Sequence, residues 1–170
     1  DVRFYIPERS EGYGMNEASI RQLAQEGVSL IITVDNGIAA LAEAELIAQL
    51  GMTLVVTDHH QPGECLPRAA AVVNPHRADC PSPYKNLCGA GVALKLIAAL
   101  DGGSYDMALE QFGDLAAIGT VADIVPLDGE NRFLVRRGLE YLQNTEREGL
   151  LALIEVAGLA EKPLDAHSIG

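Results

Sequence analysis

One stretch constrains this chain more than any other: Met52-Thr53-Leu54-Val55-Val56-Thr57-Asp58-His59-His60, an apolar run that stops in one acid and two imidazoles. Thr53, Val55, Val56 and Thr57 are β-branched and Gly51 punctuates the start, so the run reads as a short strand buried on both faces of a parallel sheet. Its carboxyl end delivers Asp58, His59 and His60 to the rim of that sheet, where ligands bind in open α/β folds. A carboxylate and two imidazoles placed there can hold a metal ion or move protons. The plainer alternative is a polar loop with a histidine-capped helix.

The preceding segment weighs in favour of a site. Leu30-Ile31-Ile32-Thr33-Val34 reads as a second apolar strand and also stops in an acid, at Asp35-Asn36-Gly37. Between the two strands, Ala39 to Leu50 is rich in alanine and reads as a helix. A right-handed βαβ crossover makes the strands parallel and puts both carboxyl ends on one edge. Neighbouring strands lie about 4.8 Å apart, so Asp35 and His59 can then reach a single ion. Asp-Asn-Gly is also a common Asx-turn sequence, but two successive strands ending in ligand-type residues make that reading less attractive for each.

Upstream, Arg3 to Pro7 reads as a short strand, Glu8 to Gly14 as a glycine-rich connection, and Asn16 as the N-cap of a helix over Glu17 to Glu26. Downstream, Gln61-Pro62-Gly63 breaks the chain, Ala71 to Asn74 reads as a further strand, and Pro75 to Asn86 as loop. That loop carries His76, read as solvated, and Arg77, which can meet a phosphate or a neighbouring acid. Gly89-Ala90-Gly91 opens a helix running to Leu100; Leu94 fills the place of the last glycine of a dinucleotide fingerprint, so close backbone packing is the better reading. A helix over Asp106 to Gln111 follows, then an apolar helix from Asp114 to Val121 that reaches Asp123 before Pro126. Asp123 stands among Val121, Ile124 and Val125 and reads as a buried carboxylate, costly unless paired or bound to a cation. Asn131 to Asn144 and Glu148 to Ala157 read as amphipathic helices. The expected fold class is α/β: a mostly parallel sheet with flanking helices over residues 1–75, then a mainly helical portion over 76–170.

Composition narrows the chemistry. A net charge of -12 argues against a broadly basic nucleic-acid surface, although bound divalent cations invert the local potential of an acidic site. Cys65, Cys80 and Cys88 form no CxxC pair, and His76, Cys80 and Cys88 match no zinc ribbon or finger spacing. No apolar run approaches the roughly 20 residues of a membrane span and the N-terminus is no signal peptide, so a soluble, cytoplasmic protein is expected. There is no GxSxG elbow. Asp35, His59 and Asp123, with Asp58 and His60 beside them, form an oxygen and nitrogen donor set suited to hydrolysis with Mn²⁺, Mg²⁺, Co²⁺ or Zn²⁺.

Three motifs in order, Thr33-Val34-Asp35-Asn36-Gly37-Ile38, Val56-Thr57-Asp58-His59-His60 and Gly119-Thr120-Val121-Ala122-Asp123-Ile124-Val125-Pro126-Leu127, resemble the DHH phosphoesterase superfamily. Glu11-Gly12-Tyr13-Gly14, Asn74-Pro75-His76-Arg77 and Leu87-Cys88-Gly89-Ala90-Gly91-Val92-Ala93 resemble, more finely, its bacterial single-stranded-DNA-specific 5′ to 3′ exonucleases. The resemblance implies a two-metal hydrolysis of phosphodiesters in DNA repair and recombination, with Mn²⁺ or Mg²⁺ as cofactor. Asp35 would bridge the ions, His59 and Asp123 would be further ligands of one, His60 would contact the scissile phosphate, and Asp58 would orient a histidine. Arg77 would be a candidate substrate contact. Single-stranded DNA is the implied substrate, a helicase or single-strand-binding protein the implied partner, and a monomer the implied state.

The superfamily's aspartate-rich first motif and its second domain match nothing in residues 1–170. The chain is therefore expected to be part of a catalytic domain, weakly metal-binding and inactive alone. Two rivals share the motifs: a DHH phosphoesterase acting on oligonucleotides, cyclic dinucleotides or pyrophosphate, and a non-catalytic replication scaffold. Intact Asp35, His59, His60 and Asp123 speak against the scaffold.

Overall fold

Strand formation follows the β-branched runs closely. In the computed structural model, which describes residues 2–7 and 12–170, Leu30–Val34 (β1) and Thr53–Thr57 (β2) pair in parallel, and Ala71–Val73 (β3) adds in parallel beyond β2. The register sets Leu30 opposite Thr53 and Val34 opposite Thr57, so the residues that follow, Asp35 and Asp58, leave the sheet side by side. Asp35 N–H donates to Thr57 O (3.0 Å), the Thr57 hydroxyl to Thr33 O (2.6 Å), and Asp58 N–H to Val73 O (3.0 Å). These bonds carry the ladder past the last paired residues and hold the rim together.

This first unit, Asp1–Cys80, has two helices among its described residues. Glu17–Gln25 (α1) starts where Asn16 accepts a hydrogen bond from Ser19 N–H (2.9 Å), the expected cap. Leu41–Gln49 (α2) is the crossover of the βαβ unit. Ile20, Ala44, Ile47, Met52, Leu54 and Val56 form its core.

The burial on both faces expected of β2 is reached by Leu54, Val56 and Thr57, with Val55 half-buried and Thr53 exposed. β1 is open on one side: Leu30, Ile32 and Val34, which alternate along it, are each nearly half exposed. An unbroken apolar run specifies a strand but not what covers its second face. Arg3 to Pro7 is extended but pairs with no strand among the described residues; Arg3 instead reaches Glu26 beside the end of α1 (3.0 Å). Phe, Tyr and Ile favour strands only where a neighbouring strand accepts them. Most of the expected connection, Glu8 to Glu11, lies outside the described residues.

The second unit, Pro81–Gly170, is helical: Gly89–Leu100 (α3), Tyr105–Ala122 (α4), Gly129–Gln143 (α5) and Glu148–Val156 (α6). Leu94, Ala98, Leu109, Ala116, Ala117, Leu134 and Val135 make its core. The two helices expected over Asp106 to Gln111 and Asp114 to Val121 are one, because Gly113 is not a break but a contact point. A Cβ at Gly138 of α5 would stand 2.2 Å from Gly113 O and 2.4 Å from the Ala117 Cβ, so the two helices approach as closely as glycine allows. Likewise a Cβ at Gly119 would meet Ala90 at 2.7 Å, joining α4 to α3. Among the described residues no helix is long and apolar enough to cross a membrane.

Candidate metal and phosphate site

The rim beyond β1 and β2 is built around one buried acid. Asp58 is 1 % exposed, yet no guanidinium or ammonium stands in its hydrogen-bond set. Oδ2 accepts from Ile38 N–H (2.9 Å), in the loop that follows β1. Oδ1 accepts from the N–H groups of His59 (2.7 Å) and His60 (3.2 Å) and lies 2.7 Å from His60 Nδ1. Burial pushes the Asp58 carboxyl up, but these donors outweigh it and hold the carboxyl below its usual range. An ionised carboxylate only accepts, so the shared proton belongs to His60 Nδ1 and the ring presents Nε2 outward. Asp58 thereby ties the loop after β1 to the turn after β2 and fixes one imidazole.

Asp35 enters that rim in an unusual conformation. Its φ is 66°, in the left-handed region that is uncommon for non-glycine residues and more open to aspartate than to most. Local bonds hold it there: its N–H goes to Thr57 O, and the Thr33 hydroxyl donates to Asn36 O (2.7 Å). Gly37 follows at φ 107°, where a Cβ would meet Thr33 Oγ1 at 2.8 Å and Val56 Cγ1 at 3.3 Å. Only glycine passes between those side chains.

The result is that Asp35 Oδ1 stands 3.1 Å from His59 Nε2, outside hydrogen-bond geometry. Two donors on an octahedral ion at about 2.1 Å stand about 3.0 Å apart, so this pair fits one divalent cation. Each of Asp35, His59 and His60 offers a ligand atom, and these atoms all lie within 4.8 Å of one another. The His59 and His60 rings pack at 4.4 Å between centroids. The donor set suits Mn²⁺, Mg²⁺ or Zn²⁺.

The structure engages Arg77 otherwise. Its guanidinium pairs with Asp79 (2.6 and 2.9 Å) and with Val72 O, and Asp79 raises its pKa. Of the two partners the sequence allowed it, phosphate or acid, an acid is present. His76 Nδ1 lies 3.0 Å from Gln61 Nε2.

Asp123 requires a correction. It is exposed, not buried. It caps the C-terminus of α4, and Ile124 then turns the chain at φ 58° with its side chain 89 % exposed. Apolar neighbours in sequence gave no shelter because the helix ends among them. The buried acid of the helical unit is Asp114, whose place in the sequence marks it only as the start of an apolar helical run. Its Oδ2 accepts from Arg147 Nε (3.0 Å) and Thr145 Oγ1 (3.4 Å), and its Oδ1 from Leu115 N–H (2.8 Å).

Two residues at the rim went unassigned in the sequence. Tyr13 donates its hydroxyl to Asp35 O (2.8 Å) and sets its ring edge-on to His60 at 5.9 Å. Asn74 donates from Nδ2 to His60 O (2.9 Å) and accepts from His76 N–H (2.8 Å). The only signals were their places in motifs: Tyr13 between Gly12 and Gly14, Asn74 at the end of a strand.

Known proteins share this arrangement of sequence. The single-stranded-DNA-specific exonuclease RecJ of Bacillus subtilis (strain 168) is 51 % identical over 158 residues, covering 92 % of this chain and 20 % of the relative. RecJ of Escherichia coli (strain K12) is 41 % identical over 183 residues, covering 100 % of this chain and 32 % of the relative. The chain thus spans about a fifth to a third of the length of these curated relatives. A crystal structure of exonuclease RecJ bound to manganese superposes with a TM-score of 0.81 at 35 % identity, covering 97 % of this chain and 41 % of that one. RecJ of Thermus thermophilus in complex with Mn²⁺ gives 0.72 at 34 % identity, over 89 % of this chain and 22 % of that one. The profile of the DHH family, N-terminal domain, matches residues 1–120 of the 170, and on that extent of agreement the chain belongs to the DHH family.

Proposed function

We propose that this chain serves a metal-dependent, single-stranded-DNA-specific exonuclease of 5′ to 3′ polarity, and that its two units belong to one catalytic domain. The observation that carries the proposal is the 3.1 Å approach of Asp35 Oδ1 to His59 Nε2 at the rim of a parallel sheet. The names of the relatives, single-stranded-DNA-specific exonucleases, supply the substrate class, and structures of RecJ with Mn²⁺ and Mg²⁺ supply the cofactor.

In this reading Asp35 and His59 hold a divalent cation, Mn²⁺ or Mg²⁺, which would supply Lewis-acid activation of water and charge compensation at the phosphate. His60 stands beside them with Nδ1 committed to Asp58, so when its ring is protonated Nε2–H is available to a phosphate oxygen. Asp58 sets the tautomer and direction of that ring. Asp123 is carried forward as a further ligand on its motif alone, and Arg77 as a substrate contact only if DNA displaces Asp79. The wider reading is a monomer acting in cytoplasmic DNA repair and recombination beside a helicase or single-strand-binding protein.

Replacing the matching segment of the B. subtilis relative with this chain tests the function. The chimera is expected to digest 5′-labelled single strands in Mn²⁺, spare blunt duplex, and lose activity with Asp35→Asn. The small-substrate alternative gains if the chimera binds Mn²⁺ and cleaves a dinucleotide but releases nothing from longer strands. A chimera that binds no Mn²⁺ sinks the metal site itself.

A further inference from the structure

We infer that Tyr13 is a positioning residue for metal binding, acting through the backbone of Asp35; the inference rests on the metal-site reading above. Asp35 sits at φ 66°, a region sparsely populated by non-glycine residues though aspartate enters it more readily than most, so its backbone depends on the bonds that hold it. Both of its backbone polar groups are held. The N–H is bound within the sheet, by Thr57 O, and the C=O accepts the Tyr13 hydroxyl at 2.8 Å.

The two anchors differ in kind. The Thr57 bond continues a strand ladder and would survive most changes. The Tyr13 bond comes from a side chain 79 % exposed, between Gly12 at φ 92° and Gly14 at φ 86°. A side chain so exposed contributes little to a core, so its hydroxyl is placed for what it touches. It restrains the peptide after Asp35, and the direction of that peptide sets where the carboxylate points relative to His59 Nε2. The ring meets His60 edge-on at 5.9 Å, so the same residue borders both the metal pair and the phosphate-facing imidazole.

The test compares Tyr13→Phe, which keeps the ring and deletes the hydroxyl, with Tyr13→Leu, which deletes both. Mn²⁺ affinity is read by electron paramagnetic resonance of the free ion. Loss of one hydrogen bond corresponds to about a fivefold change in an equilibrium constant, so both variants are expected to bind Mn²⁺ about three- to tenfold more weakly than the parent, with unchanged melting temperature. In the chimera, Tyr13→Phe should raise the Mn²⁺ concentration needed for half-maximal rate while kcat recovers at saturating Mn²⁺. Parent-like Mn²⁺ affinity in Tyr13→Phe overturns the inference. So does a kcat that stays low at saturating Mn²⁺, because a positioning role through Asp35 is rescued by the ion. Failure of the parent to bind Mn²⁺ would instead remove the metal-site reading.

Discussion

Among the described residues the two units each bury one aspartate, and they satisfy it in opposite ways. In the sheet unit, Asp58 is held by three backbone N–H groups and one imidazole, with no guanidinium or ammonium among its hydrogen-bond donors. In the helical unit, Asp114 is held by Arg147, Thr145 and the N–H of Leu115. Arg147 also donates to Gln111 O and lies over the Phe112 ring, so that acid fastens the start of α6 to α4. A carboxylate matched to a cation is neutralised where it sits. A carboxylate matched to backbone dipoles keeps its charge and turns it toward the His60 ring. The Asp114 arrangement is a fastening; in the proposed site the Asp58 arrangement would hold His60 for chemistry.

The largest test of this contrast is Asp58→Ala. It would strand Ile38 N–H, two N–H groups of the histidine turn and His60 Nδ1, and should cost about 3 kcal/mol in urea denaturation as well as Mn²⁺ binding. A loss under about 1 kcal/mol would mean that water replaces the carboxylate freely and the contrast is empty. Next comes Gly138→Ala, which asks whether the helical unit depends on close approach more than on its ion pair. A methyl 2.2 Å from Gly113 O should force α5 off α4 and cost about 2 kcal/mol, read from the melting temperature. Asp114→Asn should cost less, about 1 kcal/mol, because Arg147 is 40 % exposed and water can serve it. If Asp114→Asn lowers Mn²⁺ affinity while Asp58→Ala leaves it unchanged, the assignment of roles is reversed. The smallest effect is expected from Asp123→Asn. An exposed acid at a helix end should change stability by less than about 0.5 kcal/mol. Its Mn²⁺ titration then decides the ligand role alone, without a stability change to confuse it.

These residues also show where sequence is readable and where it is not. β1, β2 and the Asn16 cap were legible almost to the residue, because β-branched runs bounded by Gly and Asp, and an Asn just ahead of a helical segment that opens on Glu17, are local signals. The adjacency of Asp35 and His59 was legible because handedness and strand spacing are general. Exposure was not. Asp123 has apolar neighbours and yet faces water, while Asp114, next to a glycine in a helix of mixed composition, is buried. The difference lies in which helix face meets α5 and Arg147, and Arg147 is 33 residues away in the chain. The open side of β1 was hidden for the same reason. Tyr13 was invisible as a contact because it reaches Asp35 O from 22 residues upstream.

The register of β2 carries one last consequence. Leu54 and Val56 share the buried face of the strand, and Asp58, two residues on and still bonded to β3 through its N–H, continues that row. The site is therefore written in parity. Deleting one residue between Gly51 and Asp58 would not merely shorten the strand; it would hand the pocket that Ile38 N–H lines to a neighbour of the wrong kind and turn the aliphatic row outward together with it. Changes of length in this segment are thus tolerable only in pairs. Substitutions along β2 can be gradual, but the count of residues leading to the acid has to stay even.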